Sequence, residues 1–131
     1  MVLSQIRLSS EILAFRLRQV RSIEAVFEGL VSEALRNIDS TDLVIIDLRP
    51  HSQEPLNLIG FIRRHYPKIK VIAVGVYTKT EALRCVEEDI SGFLLIDASM
   101  DNLLRLIARV QKGEHAIYPG IGRISKLPMP N

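Results

Sequence analysis

The chain has 131 residues, a formal net charge of +2 from 17 Lys and Arg against 15 Asp and Glu, and a single cysteine. That length suits one domain with its own core, and one cysteine excludes an internal disulfide framework. The near-neutral balance gives no reason to invoke nucleic acid or a membrane surface, and no apolar run approaches the roughly 18 residues a membrane helix needs.

In chain order, Val2 to Ser4 reads as an abbreviated strand, followed by a helix expected from about Ser9 to Val20. Ile12 and Phe15, beside Leu13, Leu17 and Val20, make its apolar rows, with Arg16, Arg18 and Arg21 on the remaining face. A weak strand at Ile23 to Phe27 and a helix from about Gly29 to Ile38 come next. Leu43 to Ile46, Val71 to Val76 and Phe93 to Ile96 are short continuous apolar runs rich in Val and Ile, the pattern of strands buried on both faces of a parallel sheet. Between them lie two helices. One carries Leu56, Ile59 and Ile62 with Arg63 and Arg64 opposite, and the other carries Ala82, Leu83 and Val86 flanked by Glu81, Glu87 and Glu88. The last helix starts at the N-cap Ser99, repeats Leu103, Ile107 and Val110 at helical spacing and stops at Gly113. The expected fold is therefore α/β, five β-α units with right-handed crossovers and helices on both faces of one parallel sheet. Residues 1–118 form the domain, and residues 119–131 read as a tail or the start of a linker.

Asp47 stands out as a carboxylate at the carboxyl end of a buried strand. Other candidates have simpler readings. His51, His65 and His115 lack ligand-like spacing, so no metal site is expected of them. Cys85 reads as a half-buried apolar residue on an amphipathic helix, and Ser9 and Ser10 as helix-cap residues. The Arg16, Arg18, Arg21 set and the group Arg63, Arg64, Lys68, Lys70 read as solvated faces without a recognition helix. Gly120-Ile121-Gly122 is too short for a nucleotide fingerprint and follows no strand.

Asp42-Leu43-Val44-Ile45-Ile46-Asp47-Leu48-Arg49, Arg63-Arg64-His65-Tyr66-Pro67, Gly92-Phe93-Leu94-Leu95-Ile96-Asp97-Ala98-Ser99 and Leu103 through Lys112-Gly113-Glu114 occur in an order that resembles the receiver domain of bacterial response regulators, of the NarL and FixJ type. The resemblance runs from Val2 to about Pro119 and implies the flavodoxin-like, CheY-like strand order 2-1-3-4-5. It makes Asp47 the equivalent of the phospho-acceptor. It places the acidic pair that holds Mg²⁺ at Ser4 and Gln5, the hydroxyl switch residue at Gly75, its aromatic partner at Phe93 and the conserved-type lysine at Ile96. Only the aspartate and the aromatic ring survive in kind, while Pro50 and Pro55 depart from the usual loop after the acceptor. Transfer of a phosphoryl group needs its spreading negative charge neutralised. Asp47, taken as an anion without a neighbouring counter-charge, is not expected to support it.

The resemblance implies a degenerate or pseudo-receiver, not an enzyme, that signals by protein–protein contact in the cytoplasm and regulates transcription. Cofactors are not expected. Partners would be a second copy through Arg105, Leu106 and Arg109 of the last helix, and a histidine kinase or other signalling protein. DNA would be met only through an effector domain absent from this chain. The alternatives are an inefficient but working phospho-acceptor, and a small-molecule sensor using the vacated site around Ser4, Gln5, Asp47 and Gly75.

Overall fold

A computed structural model describes residues 1–117. Five parallel strands, β1 (Val2–Ser4), β2 (Glu28–Leu30), β3 (Leu43–Asp47), β4 (Lys70–Val76) and β5 (Gly92–Leu95), lie in the order β2-β1-β3-β4-β5. This is the flavodoxin-like, CheY-like arrangement expected. A sixth, two-residue strand not among the expected elements, β6 (Ala116–Ile117), adds to the β5 edge with Gly92 opposite Ala116. The domain limit at residue 118 and the linker beyond it lie outside the described residues.

Alternation along the strands divides the core into two layers. Val2, Ile45, Ile72 and Leu94 face α1 (Arg7–Leu17) and α4 (Met100–Gln111), packing on Leu17, Leu103, Leu106, Ile107 and Val110. Leu3, Val44, Ile46, Val71, Ala73 and Phe93 face the other way, onto the 3₁₀ segment Val31–Ser40, α2 (Gln53–His65) and α3 (Lys79–Glu87). The helix ends follow local chemistry. Ser99 Oγ accepts from the Asn102 amide while Asn102 Oδ1 accepts from the Ser99 amide, and Gly113 terminates α4 at φ +88°.

Several local expectations shift. Ser9 and Ser10 lie inside α1 rather than capping it, and Ser10 Oγ donates to the Arg7 carbonyl and to Glu28 Oε2. The buried side of α1 is Ser10, Ala14 and Leu17, so Ile12 and Phe15 face outward. Ile23 to Phe27 is not a strand, because pairing with β1 starts where Val2 donates to the Phe27 carbonyl and continues at Glu28. The apolar side chains of Ile23 and Val26 pack against the α1/α4 layer instead. The helix expected from Gly29 is a 3₁₀ segment beginning at Val31, its entry set by Glu33 Oε1 accepting from the Leu30 amide at 2.8 Å. On α3 the buried residues are Glu81, Ala82 and Cys85, which turns Leu83 and Val86 to solvent. Cys85 is fully rather than half buried, and burial pushes its thiol up to about 12, with the Glu81 carboxylate adding to the effect.

Candidate functional site at the carboxyl edge of the sheet

The register places the expected site residues together. Leu3 pairs with Ile46, so Ser4 and Asp47 are the next residues on adjacent strands, and Asp47 pairs with Val74 immediately before Gly75. Ile96 follows β5, its amide donating to the Val76 carbonyl, and is 44% exposed at the rim. Phe93 points away from this edge, into the layer formed with α2 and α3.

Asp47 is 4% exposed, and sequence reasoning missed its partner. Its Oδ1 accepts from the Arg49 amide at 3.0 Å, closing an Asx turn that brings the Arg49 side chain back over the strand end. Arg49 Nε then donates to Oδ1 and Oδ2 at 3.0 and 3.2 Å, and Nη2 donates to Oδ2 at 2.6 Å. Asp47 is thus not a carboxylate without counter-charge, which corrects the expectation. Hydrogen bonding to the carboxylate raises the Arg49 pKa, against the lowering effect of partial burial.

Gly75 makes room for this fork. It adopts φ +75°, at a register shift between Ala73 and Val76, and a Cβ there would stand 3.0 Å from Asp47 Oδ1 and 3.2 Å from Arg49 Cγ. The place assigned to a hydroxyl is therefore occupied by an arginine stem.

Neutral groups fill the positions of the acidic pair. Ser4 is buried, and its Oγ accepts from the Ile6 amide at 3.0 Å. Gln5 ties two loops, donating from Nε2 to the Arg49 carbonyl at 3.4 Å and accepting from Ser52 Oγ at 2.6 Å. Mg²⁺ selects near-octahedral oxygen ligands, carboxylates foremost. Among the described residues, Asp47 is the single carboxylate lining the cavity at this edge, and both its oxygens are engaged by Arg49, so this donor set does not fit the ion.

A cavity of about 340 Å³ opens beside the fork between the amino ends of α1 and α4. Asp47 and Arg49 supply its polar end, and Leu13, Val74, Leu94, Met100 and Leu103 its apolar walls.

The chain matches the isolated REC domain of RcsB from Salmonella enterica serovar Typhimurium, in the presence of the phosphomimetic BeF3-, at TM-score 0.76 and 19% identity over 94% of this chain and 95% of that one. It matches the non-phosphorylated receiver domain of RcsB from Escherichia coli at TM-score 0.69 and 19% identity, over 88% and 95%. The Salmonella RcsB bound to promoter DNA matches at TM-score 0.73 and 20% identity over 95% of this chain but 65% of the longer RcsB chain. The fold is that of a receiver domain. No protein-family model matches the sequence, and no curated protein matches it.

A second polar link lies beside the receiver-like edge and was also missed. Glu81, 5% exposed, accepts from the Tyr77 and Thr78 amides at 2.9 and 3.0 Å through Oε1, while its Oε2 lies 2.9 Å from His51 Nδ1. It joins the loop after β3 to the start of α3. The three histidines are dispersed: His65 stacks near Phe61 and His115 lies 3.9 Å from Asp89. Arg18 donates to the Val26 carbonyl, Arg63 to the Glu88 and Pro67 carbonyls, and Lys70 to the Val110 carbonyl, so several basic side chains brace the fold. On α4 the expected contact face loses its apolar member, since Leu106 is 2% exposed and belongs to the core, leaving Arg105 and Arg109 outside.

Proposed function

We propose that this chain is a pseudo-receiver domain of a response regulator, signalling by protein–protein contact without Mg²⁺-dependent phosphorylation of Asp47. The observation that carries this reading is the Arg49 fork, which engages both carboxylate oxygens where a phosphoryl donor and a cation would have to approach. Neutral Ser4 and Gln5 support it, as does Ile96 at the place of a lysine. Removing one charge-stabilising group commonly slows such chemistry on the order of 100-fold or more.

The domain works by binding, with no catalytic residue, and its partners are a second copy and a signalling protein such as a histidine kinase. Its role in transcription is proposed by parallel with RcsB, whose DNA-bound chain extends beyond the part matched here. DNA recognition would then belong to an effector domain outside the described residues. A cytoplasmic role is part of the same proposal. No helix among the described residues is long and apolar enough to cross a membrane.

The test is incubation with Mg²⁺ and acetyl phosphate, read by intact mass, and with beryllofluoride, read by NMR. The expected result is no adduct and no shift at the Asp47 edge. A stoichiometric adduct that Asp47→Asn abolishes would establish a working phospho-acceptor instead. The cavity beside the fork favours a second reading, a small-molecule sensor, since its volume and mixed lining suit a compact amphipathic ligand. Native mass spectrometry of the purified chain tests it, a retained small molecule being the supporting outcome.

A further inference from the structure

The polar end of the cavity beside the fork offers donors and no free acceptor. Asp47 is saturated, since Oδ1 accepts from the Arg49 amide and Nε, and Oδ2 from Nε and Nη2. A guanidinium carries five N–H groups in one plane and can hold a carboxylate by parallel bonds along its side edge or its end edge. Asp47 takes the side edge, Nε with Nη2. The end edge, Nη1 with the second hydrogen of Nη2, has no hydrogen-bond partner among the described residues, on a side chain that is 50% exposed.

Charge narrows what that edge would take. Asp47 and Arg49 are the charged residues lining the cavity among the described residues, and they balance each other. A cation finds no open oxygen there. A dianionic phosphate would bring two charges close to the Asp47 carboxylate, a monocarboxylate brings one, and a neutral carbonyl does not match the paired donors. The rest of the cavity is apolar. Ile12 and Ile96 line it while 57% and 44% exposed, so an occupant with an apolar tail would cover surface now open to water. At about 30 Å³ for each water-sized group, a cavity of about 340 Å³ holds about eleven non-hydrogen atoms.

We propose that this cavity binds an amphipathic monocarboxylate the size of a fatty acid of about eight carbons. Its carboxylate lies on the end edge of Arg49 and its tail against Leu13, Leu94, Met100 and Leu103. The proposal rests on the small-molecule sensor reading and names the ligand class for it. A ligand of this size, left partly open to solvent, binds with Kd on the order of 100 µM.

Titration of the whole chain with sodium octanoate, followed by calorimetry and by amide NMR spectra, tests it. Shifts should centre on Leu13, Gly75, Ala98 and Leu103. Lengthening hexanoate to octanoate should tighten binding roughly 15-fold, about 4-fold for each methylene buried. Lengthening octanoate to dodecanoate should add less than about 2-fold, because the cavity is already filled. Octanamide should bind roughly 10-fold more weakly than octanoate, and so should octanoate to Arg49→Ala. Asp47→Asn should tighten binding about 3-fold by removing a like charge, whereas a merely structural role of the fork would weaken both variants alike. Ile12→Asp, at an exposed position that leaves the fold intact, should weaken binding roughly 10-fold by setting a charge against the tail.

Octanamide bound as tightly as octanoate, or octanoate bound equally by Arg49→Ala, would overturn the carboxylate assignment while a sensor of neutral ligands still stood. Affinity climbing evenly to dodecanoate, with shifts spread over the surface, would mean non-specific adsorption and overturn it as well. Silence with every probe would remove the sensor reading together with the proposal. None of these outcomes bears on acetyl phosphate labelling, which tests the pseudo-receiver reading separately.

Discussion

Arg49 should be coupled to Asp47 more strongly than a surface ion pair is. Three donor contacts run from the guanidinium to the carboxylate, at 3.0, 3.2 and 2.6 Å, onto a side chain only 5% exposed. A charge-assisted hydrogen bond contributes about 1.5–3 kcal/mol, but the Arg49 side chain is itself 50% exposed and solvent screening reduces the gain. The Arg49 amide keeps its bond to Oδ1 in any side-chain variant, so the coupling belongs to the guanidinium alone. These considerations give a coupling energy of about 1.5–2 kcal/mol, above the 0.2–1 kcal/mol typical of exposed pairs. Urea unfolding of wild type, Asp47→Ala, Arg49→Ala and the double variant, followed by circular dichroism, closes the cycle. Arg49→Ala should be the costlier single change, since it leaves a buried carboxylate with its local amide only. Coupling below about 0.5 kcal/mol would mean that the fork does not govern the site and would remove the main support for a closed acceptor.

Gly75→Ala should cost about 2 kcal/mol, combining a non-glycine residue at positive φ with a Cβ 3.0 Å from Asp47 Oδ1, and should lower the melting temperature by roughly 6–8 °C in calorimetry. Adding Arg49→Ala should relieve only the part of that loss due to Arg49 Cγ at 3.2 Å, leaving the contact with Asp47 Oδ1 and the backbone part. Cys85 should resist a disulfide reagent at pH 8 in the folded state and react stoichiometrically in urea, because burial holds the thiol near 12; fast native labelling would contradict the packing of α3. The Leu30 amide, with Arg7 and Arg36 adding to it, holds the Glu33 carboxyl below its ordinary 4.5. The unfolded chain therefore takes up that proton first as pH falls, so the stability Glu33 adds is present above about 4.5 and lost as pH drops through the lower folded value. The difference in urea midpoint between wild type and Glu33→Gln should close in that acid range, and a constant difference would count against the local geometry.

The parallel sheet was legible because β3, β4 and β5 are buried on both faces and announce themselves as unbroken Val- and Ile-rich runs. The amino-terminal third was harder for a physical reason. β1 and β2 are three residues each, and Ile23 and Val26 serve side-chain packing rather than pairing, so apolar content misplaced the second strand. The rows of α1 and α3 misled in the same way. α1 buries Ser10 and Ala14 and exposes Ile12 and Phe15, while α3 buries Glu81 because the carboxylate bonds the amides before its own helix. The positions of the site were legible through their strand ends, but its electrostatics were not. Arg49 is plain in the sequence, yet only the Asx turn shows that it folds back onto the residue two before it.

Asp47 consequently holds a place that chemistry need not explain. The two core layers draw their contacts from the strands' interiors and from the helices, and Ser4, Gln5, Gly75 and Ile96 sit beyond them at the edge, so changing those residues removes little packing. A buried carboxylate in the same place has a different standing, because it must be bonded or it destabilises the fold. Asp47 meets that demand by closing the turn into the loop after β3, and Gln5 and Ser52 fasten the same loop from the other side. In this arrangement the carboxylate serves as a structural clasp. Leu8, Ile12 and Phe15 on α1 remain uncovered, and Ile12 lines the same cavity as Asp47 and Arg49, so apolar surface with free energy left to gain by burial adjoins the clasp.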